Sequence, residues 1–169
     1  MNEIDYSDLI EQGYEEIFVY IPEGYEHYCF ACSKSNPIGL KLRFFVNKKT
    51  DVLVSRYIIP KEFCGFPKFS HGGILTTLVD ELMAHITFYK FGRYGITKSI
   101  NVKFLRPVLI NEPIFIQSTI SNSTEGKAGK EVHVNAKIFS GNDSSGKLNV
   151  SSEGILVILP DERFKKLYE

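Results

Sequence analysis

The chain has 169 residues, 43% of them hydrophobic, and its 20 basic and 20 acidic side chains cancel to zero formal net charge. That length buries one substantial core and leaves no room for a second full domain, and the balanced charge excludes a general electrostatic pull toward nucleic acid or an anionic membrane. No apolar run approaches the roughly eighteen residues of a membrane span, and the first residues are acidic without an apolar signal core. The expectation is a cytoplasmic protein with neither a membrane nor a nucleic acid as partner.

Residues 1–26 hold eight acids and no Lys or Arg. Residues 7–11 suggest a short helix and residues 16–21 a strand closed by Pro22 and Gly24. We read 1–27 as an acidic extension that covers the sheet, the other role open to it being a lid beside a site. Three cysteines follow in all, Cys29, Cys32 and Cys64, an odd set that argues against a secreted disulfide framework. Cys29-x-x-Cys32 has the spacing of half a zinc site. No second such pair completes it, and His27 and Cys64 are the nearest other donors. A redox pair would sit between a strand and a helix, whereas this one precedes a strand. The expectation is packed or free thiols, with no metal and no cofactor.

Leu40, Leu42, Phe44 and Val46 alternate as in a half-buried strand. A polar turn at 47–50 leads to a partner strand over 51–59, which Pro60 ends. Residues 61–70 read as a loop that Gly65 and Pro67 let bend sharply. Over 74–90 the apolar residues Ile74, Leu75, Leu78, Val79, Leu82 and Ile86 recur at helical intervals, predicting a buried helix of four to five turns. After Gly92 and Gly95 come four strands, 96–105, 114–121, 131–139 and 150–159, with Gly- and Ser-rich hairpin loops between the later ones. Residues 161–169 form a charged tail. One long apolar stripe against a run of antiparallel strands predicts an α+β fold in which a curved sheet wraps a central helix.

The chemistry gathers on that helix. His71-Gly72-Gly73 stands at its N-terminus, where unpaired N–H groups and the helix dipole favour an oxygen that gains negative charge, and where Gly leaves the backbone open to a ligand. Asp80 lies two turns further on, off the apolar stripe. Glu81 points about 100 degrees away from it around the helix. Each feature also has an ordinary structural reading: a tight connection, a capping histidine, a solvated acidic face.

Three stretches in order, YCFACSKSNPIGLKLRFF from Tyr28, FCGFPKFSHGGILTTLVDELM from Phe63 and TKSINVKFLRPV from Thr97, together resemble the hotdog-fold acyl-CoA thioesterases of the phenylacetic-acid-degradation (PaaI-like) type. The resemblance covers residues 28–160. It implies hydrolysis of an acyl-CoA thioester with no separate cofactor, by a homodimer or homotetramer whose sites lie at the dimer boundary. Carried across, Asp80 matches the catalytic carboxylate, as general base or nucleophile. Gly72 matches the residue whose amide polarises the thioester carbonyl, with His71 and Gly73 beside it. Thr97 stands where relatives hold a hydroxyl that orients water. Glu81 is a reserve catalyst. Gly65 occupies a position where some relatives place an Asn or Gln that assists the carbonyl, so that assistance is missing. Lys98, Lys103 and Arg106 are candidates for the coenzyme A phosphates, solvated strand ends being their other reading. A binding or sensing module and a hotdog hydratase are the alternative functions.

Overall fold

The computed structural model describes residues 4–18, 21, 24, 26–126 and 129–166, so part of the predicted strand 16–21 lies outside the described residues. Its centre is the helix that the apolar periodicity predicted, here called α2, Gly72–Phe91. Leu78, Val79, Leu82 and Met83 are fully buried on it. Gly92, at φ 69°, ends it in the left-handed conformation that glycine adopts without strain, its N–H donating to the Phe88 carbonyl at 2.8 Å.

Around α2 runs a seven-stranded antiparallel sheet. In chain order its strands are β1 (Glu15–Ile17), β2 (Phe44–Asn47), β3 (Val52–Ile58), β6 (Ile96–Phe104), β7 (Pro113–Gly126), β8 (Gly129–Ser140) and β9 (Leu148–Ile158). They lie side by side as β1-β2-β3-β7-β8-β9-β6. The helix therefore carries the chain from β3 to the far edge of the sheet, packing on β3, β6, β7, β8 and β9 as it crosses. This is the expected α+β wrap. Where β9 passes under α2 the approach is close: a methyl group on Gly154 would come 2.5 Å from the Met83 sulfur. Gly154→Ala is expected to cost about 1–3 kcal/mol through overpacking, read as a lower urea midpoint; an unchanged midpoint would show that Met83 has room to move aside.

Two local expectations are corrected. The predicted strand 40–46 is β-structure only from Phe44, in a strand that runs Phe44–Asn47; Leu40 and Leu42 still enter the core, but from extended chain tied to the preceding loop through N–H bonds to the Phe30 and Ala31 carbonyls. Nor is β2 half-exposed. Phe45, on the opposite parity from Phe44, is fully buried too, because the short helix α1 (Ser7–Glu11) lays Tyr6 and Leu9 on the outer face against Phe45, Val54 and Phe115. The acidic extension is thus a cover that makes a second small core.

Arg56 fastens that cover. Its side chain, 3% exposed, donates to both carboxylate oxygens of Asp8 at 2.5 and 2.6 Å and to the carbonyls of Asp5 and Asn142, both at 2.7 Å. The hydrogen bonds from Arg56 hold the Asp8 carboxyl below its ordinary range. A depressed folded pKa means the contribution is full above the ordinary carboxyl range near about pH 4 and is lost as pH falls through the folded value. Wild type and Asp8→Asn should therefore differ in denaturation midpoint at neutral pH and converge in acid. A gap that persists in acid would contradict this role.

The predicted loop 61–70 is more ordered than expected. A 3-10 turn, Lys61–Phe63, leads into a small hairpin of β4 (Cys64–Phe66) and β5 (Phe69–Ser70), with Lys68 at φ 71° in its turn. The hairpin is sewn to the segment after β6 by Ser70 N–H to the Val108 carbonyl and Ile110 N–H to the Lys68 carbonyl. These long-range bonds between two non-periodic segments left no local pattern to read. They set a wall beside the start of α2.

Candidate active site

The N-terminus of α2 is capped by its own histidine. His71 has extended backbone angles, φ −67° and ψ 134°, and its Nδ1 accepts the Gly73 N–H at 2.9 Å, as N-cap side chains do. This bond requires Nδ1 to be unprotonated. It also corrects one expectation: the Gly73 amide is already engaged and is not open to a ligand. Among the described residues no acceptor takes the Gly72 N–H. Of the two glycine amides, Gly72 is the one left to receive an oxygen.

Gly72 opens on a cleft of about 770 Å³ that also brings together Gly65, Phe66, Phe69, His71 and Arg106. Gly65 contributes by its smallness. A methyl there would lie 3.0 Å from the His71 Cα, so glycine lets β4 lie directly against the capping residue. Phe104, whose importance the sequence did not reveal, packs its ring beside Gly72, within 3.4 Å of where a side chain on Gly72 would begin. Phe66, Phe69, Phe104 and Leu105 are 77, 37, 54 and 48% exposed, so an apolar surface rims the free amide.

Asp80 lies eight residues beyond Gly72, about 12 Å along the helix axis. It is half-buried. The Thr97 hydroxyl, at the start of β6, donates to its Oδ1 at 2.7 Å. One carboxylate oxygen is thereby fixed in place, and Oδ2 makes no hydrogen bond among the described residues. Asp80 and Thr97 are brought together as expected. Asp80 and Gly72 of one chain are not, since reacting groups must come within about 3–3.5 Å of one centre.

Glu81 goes elsewhere. Its side chain is 16% exposed and pairs with His85 Nε2 at 3.1 Å, while the Cys29 thiol lies 3.6 Å from the same oxygen. Burial pushes the Glu81 carboxyl up, but the hydrogen bonds and charge of His85 and the hydrogen bonds from Cys32 and Cys29 outweigh it and hold the carboxyl below its usual range. The structure does not bring Glu81 to the Asp80 and Thr97 pair. The His85 partnership was missed in the sequence, although an acid and a histidine four apart on a helix are neighbours by geometry alone.

The three candidate phosphate ligands separate in the same way. Lys98 is paired with Glu131 at 2.6 Å. Arg106 borders the cleft and donates to the Leu148 carbonyl at 2.7 Å, leaving further donors on its guanidinium. Lys103 is exposed on β6, with no partner among the described residues.

Comparison with known proteins agrees with this fold. No family model matches the chain. A crystal structure of a thioesterase superfamily protein superposes with a TM-score of 0.67 at 16% identity, over 89% of this chain and 72% of that one. The structure of a Streptococcus mutans protein bound to acetyl-CoA does so with a TM-score of 0.54 at 12% identity, over 64% of this chain and 81% of that one. The chain shares the hotdog fold of these structures.

Among curated sequences, an uncharacterized mitochondrial membrane protein of Saccharomyces cerevisiae is 26% identical over 98 residues, and this chain's match spans 40% of that protein's length. This relative overturns the expectation of a cytoplasmic location, because the sequence likeness runs to a mitochondrial protein. Among the described residues no helix is long and apolar enough to cross a membrane.

Proposed function

We propose that this protein hydrolyses an acyl-CoA thioester to the free acid and coenzyme A. The observation that carries the reading is the Asp80 carboxylate, held through Oδ1 by the Thr97 hydroxyl with Oδ2 free of any bond among the described residues. A carboxylate so placed takes a proton from water as the water attacks the thioester carbonyl, or attacks it directly; the Gly72 amide at the positive end of α2 would receive the oxygen that becomes negative. A binding module gains little from a carboxylate beside a carbonyl. A hydratase would need an acid-paired histidine open to substrate, and the pair present, His85 with Glu81, is sealed at 3 and 16% exposure.

The separation of Asp80 from Gly72 along one helix supports a working site shared between two chains. In this reading two chains pair so that Asp80 of each meets Gly72 of the other. The unpaired outer edge of β6 and the exposed aromatic rim beside Gly72 suit such an interface. Arg106 and Lys103 are the cations left for the coenzyme A phosphates. The acetyl-CoA bound by the Streptococcus mutans structure supports a ligand of this class.

The test is thiol release from a panel of acyl-CoAs, short, long and aromatic, against an enzyme-only blank for the protein's three cysteines. Release by the wild type supports the reading; none across the panel, with acyl-CoA binding retained by calorimetry, would replace it with a binding module. Thr97→Val keeps the β-branched shape and removes only the hydrogen bond. It is expected to lower kcat about tenfold, the equivalent of about 1.4 kcal/mol, with KM little changed. An unaltered kcat would reduce Thr97 to a strand residue.

A further inference from the structure

We propose that Cys29, Cys32 and Glu81 form a structural zinc site, with His27 beside it, separate from the Asp80 and Thr97 pair. The two sulfurs and a Glu81 oxygen lie within 4.8 Å of one another, although they come from the loop before β2 and from the middle of α2, Glu81 standing 52 residues after Cys29. His27 stands outside that group of three but next to it, its Nε2 lying 3.4 Å from the Cys32 sulfur, and is the nearest further donor.

The two measured spacings suit neighbouring ligands of a tetrahedral ion. With Zn–S about 2.3 Å and Zn–N or Zn–O about 2.0–2.1 Å, neighbouring sulfur and oxygen or nitrogen ligands stand roughly 3.5 Å apart. The observed separations are 3.6 Å from the Cys29 sulfur to Glu81 Oε1 and 3.4 Å from the Cys32 sulfur to His27 Nε2. Two thiols and a carboxylate, completed by an imidazole or by water, form a donor set that suits zinc, whereas magnesium and calcium prefer oxygen alone.

The surroundings support the donors as a metal site requires. The Ala31 N–H points at the Cys29 sulfur at 3.3 Å, a bond that favours thiolate. The Ser33 hydroxyl donates to the His27 carbonyl at 2.7 Å, and Ser33 N–H to the Cys29 carbonyl at 3.1 Å, fixing the loop. On the helix side, His85 is 2% exposed, stacks on Phe44 at 3.8 Å and meets the same Glu81 Oε1 through Nε2, orienting the carboxylate. Cys64, the other cysteine, is exposed on β4 and takes no part. The ion would staple the loop that precedes β2 to the centre of α2, one residue from Asp80.

Elemental analysis of the purified full chain, followed by cobalt substitution, tests this. The expected result is one zinc per chain, in the wild type and in Cys64→Ser, and a cobalt form with the intense absorption of tetrahedral thiolate coordination. Cys29→Ser with Cys32→Ser should abolish both. His85→Gln should weaken cobalt affinity about 10–100-fold while keeping the shape of the spectrum, which distinguishes a positioning residue from a ligand. Should the double cysteine variant fail to fold, the wild-type titration decides: thiolate-to-cobalt absorption that zinc displaces supports the site. Absence of that absorption in reduced protein, cobalt binding indifferent to the cysteine changes, or a thiol count showing Cys29 and Cys32 joined as a disulfide would overturn it. None of these readouts depends on thioester hydrolysis.

Discussion

Asp80→Asn is expected to cut acyl-CoA turnover by about 10²–10⁴-fold, the usual consequence of losing a general base, while folding and subunit pairing survive. The amide is nearly isosteric, and the Thr97 hydroxyl can still donate to its oxygen at the position it now occupies. What disappears is the negative charge that draws a proton from water or attacks the carbonyl. Steady-state kinetics should show the loss in kcat with KM little changed, since the carboxylate acts on the reacting centre and not on the coenzyme A portion. Turnover within a few-fold of the wild type would remove Asp80 from the mechanism and move the catalytic role to another group.

Gly72→Pro probes the other half of the site by deleting one hydrogen-bond donor. Gly72 is the first residue of α2, where a proline is well accommodated because its missing N–H had no intrahelical partner. Proline also requires an extended residue before it, and His71 already has φ −67° and ψ 134°. The helix and its His71 cap should therefore persist. Loss of a single oxyanion donor commonly lowers kcat about 10²–10³-fold, or about 2.7–4 kcal/mol. Gly72→Ala retains the N–H and places its methyl at an ordinary 3.4 Å from Phe104, so it should keep most of the activity. Equal losses in the two variants would mean that bulk against Phe104, not the amide, is what matters.

The helix, the later strands and the α+β wrap were legible because each rests on local periodicity: apolar residues at helical spacing for α2, alternation such as Val132, Val134, Ala136 and Ile138 for β8. The same held for Asp80 with Thr97, which the motif resemblance placed in register. What the sequence hid depends on contacts between distant segments. The burial of Phe45 requires α1 on the outer face of the sheet. The β4–β5 hairpin is held by the chain that follows β6. The Gly73 amide looked available until the His71 side chain was seen to turn back on it. Cys29-x-x-Cys32 looked like half a site because its third donor, Glu81, lies far along the chain and had been set aside as a second catalytic acid. The cytoplasmic expectation failed for a different reason: composition and the absence of an apolar span carry no compartment address, and the likeness to a mitochondrial protein stands against it.

The central claim is that Asp80 of one chain works with Gly72 of another, and co-expression of the two inactive variants tests it most directly. In a mixed dimer of Asp80→Asn with Gly72→Pro, one site carries both lesions and the other carries neither. With random pairing half the dimers are mixed and half their sites intact, so about a quarter of wild-type thiol release should return. Release no greater than that of the parents mixed after separate purification, from co-expressed protein shown to contain mixed dimers, would contradict a site shared between subunits.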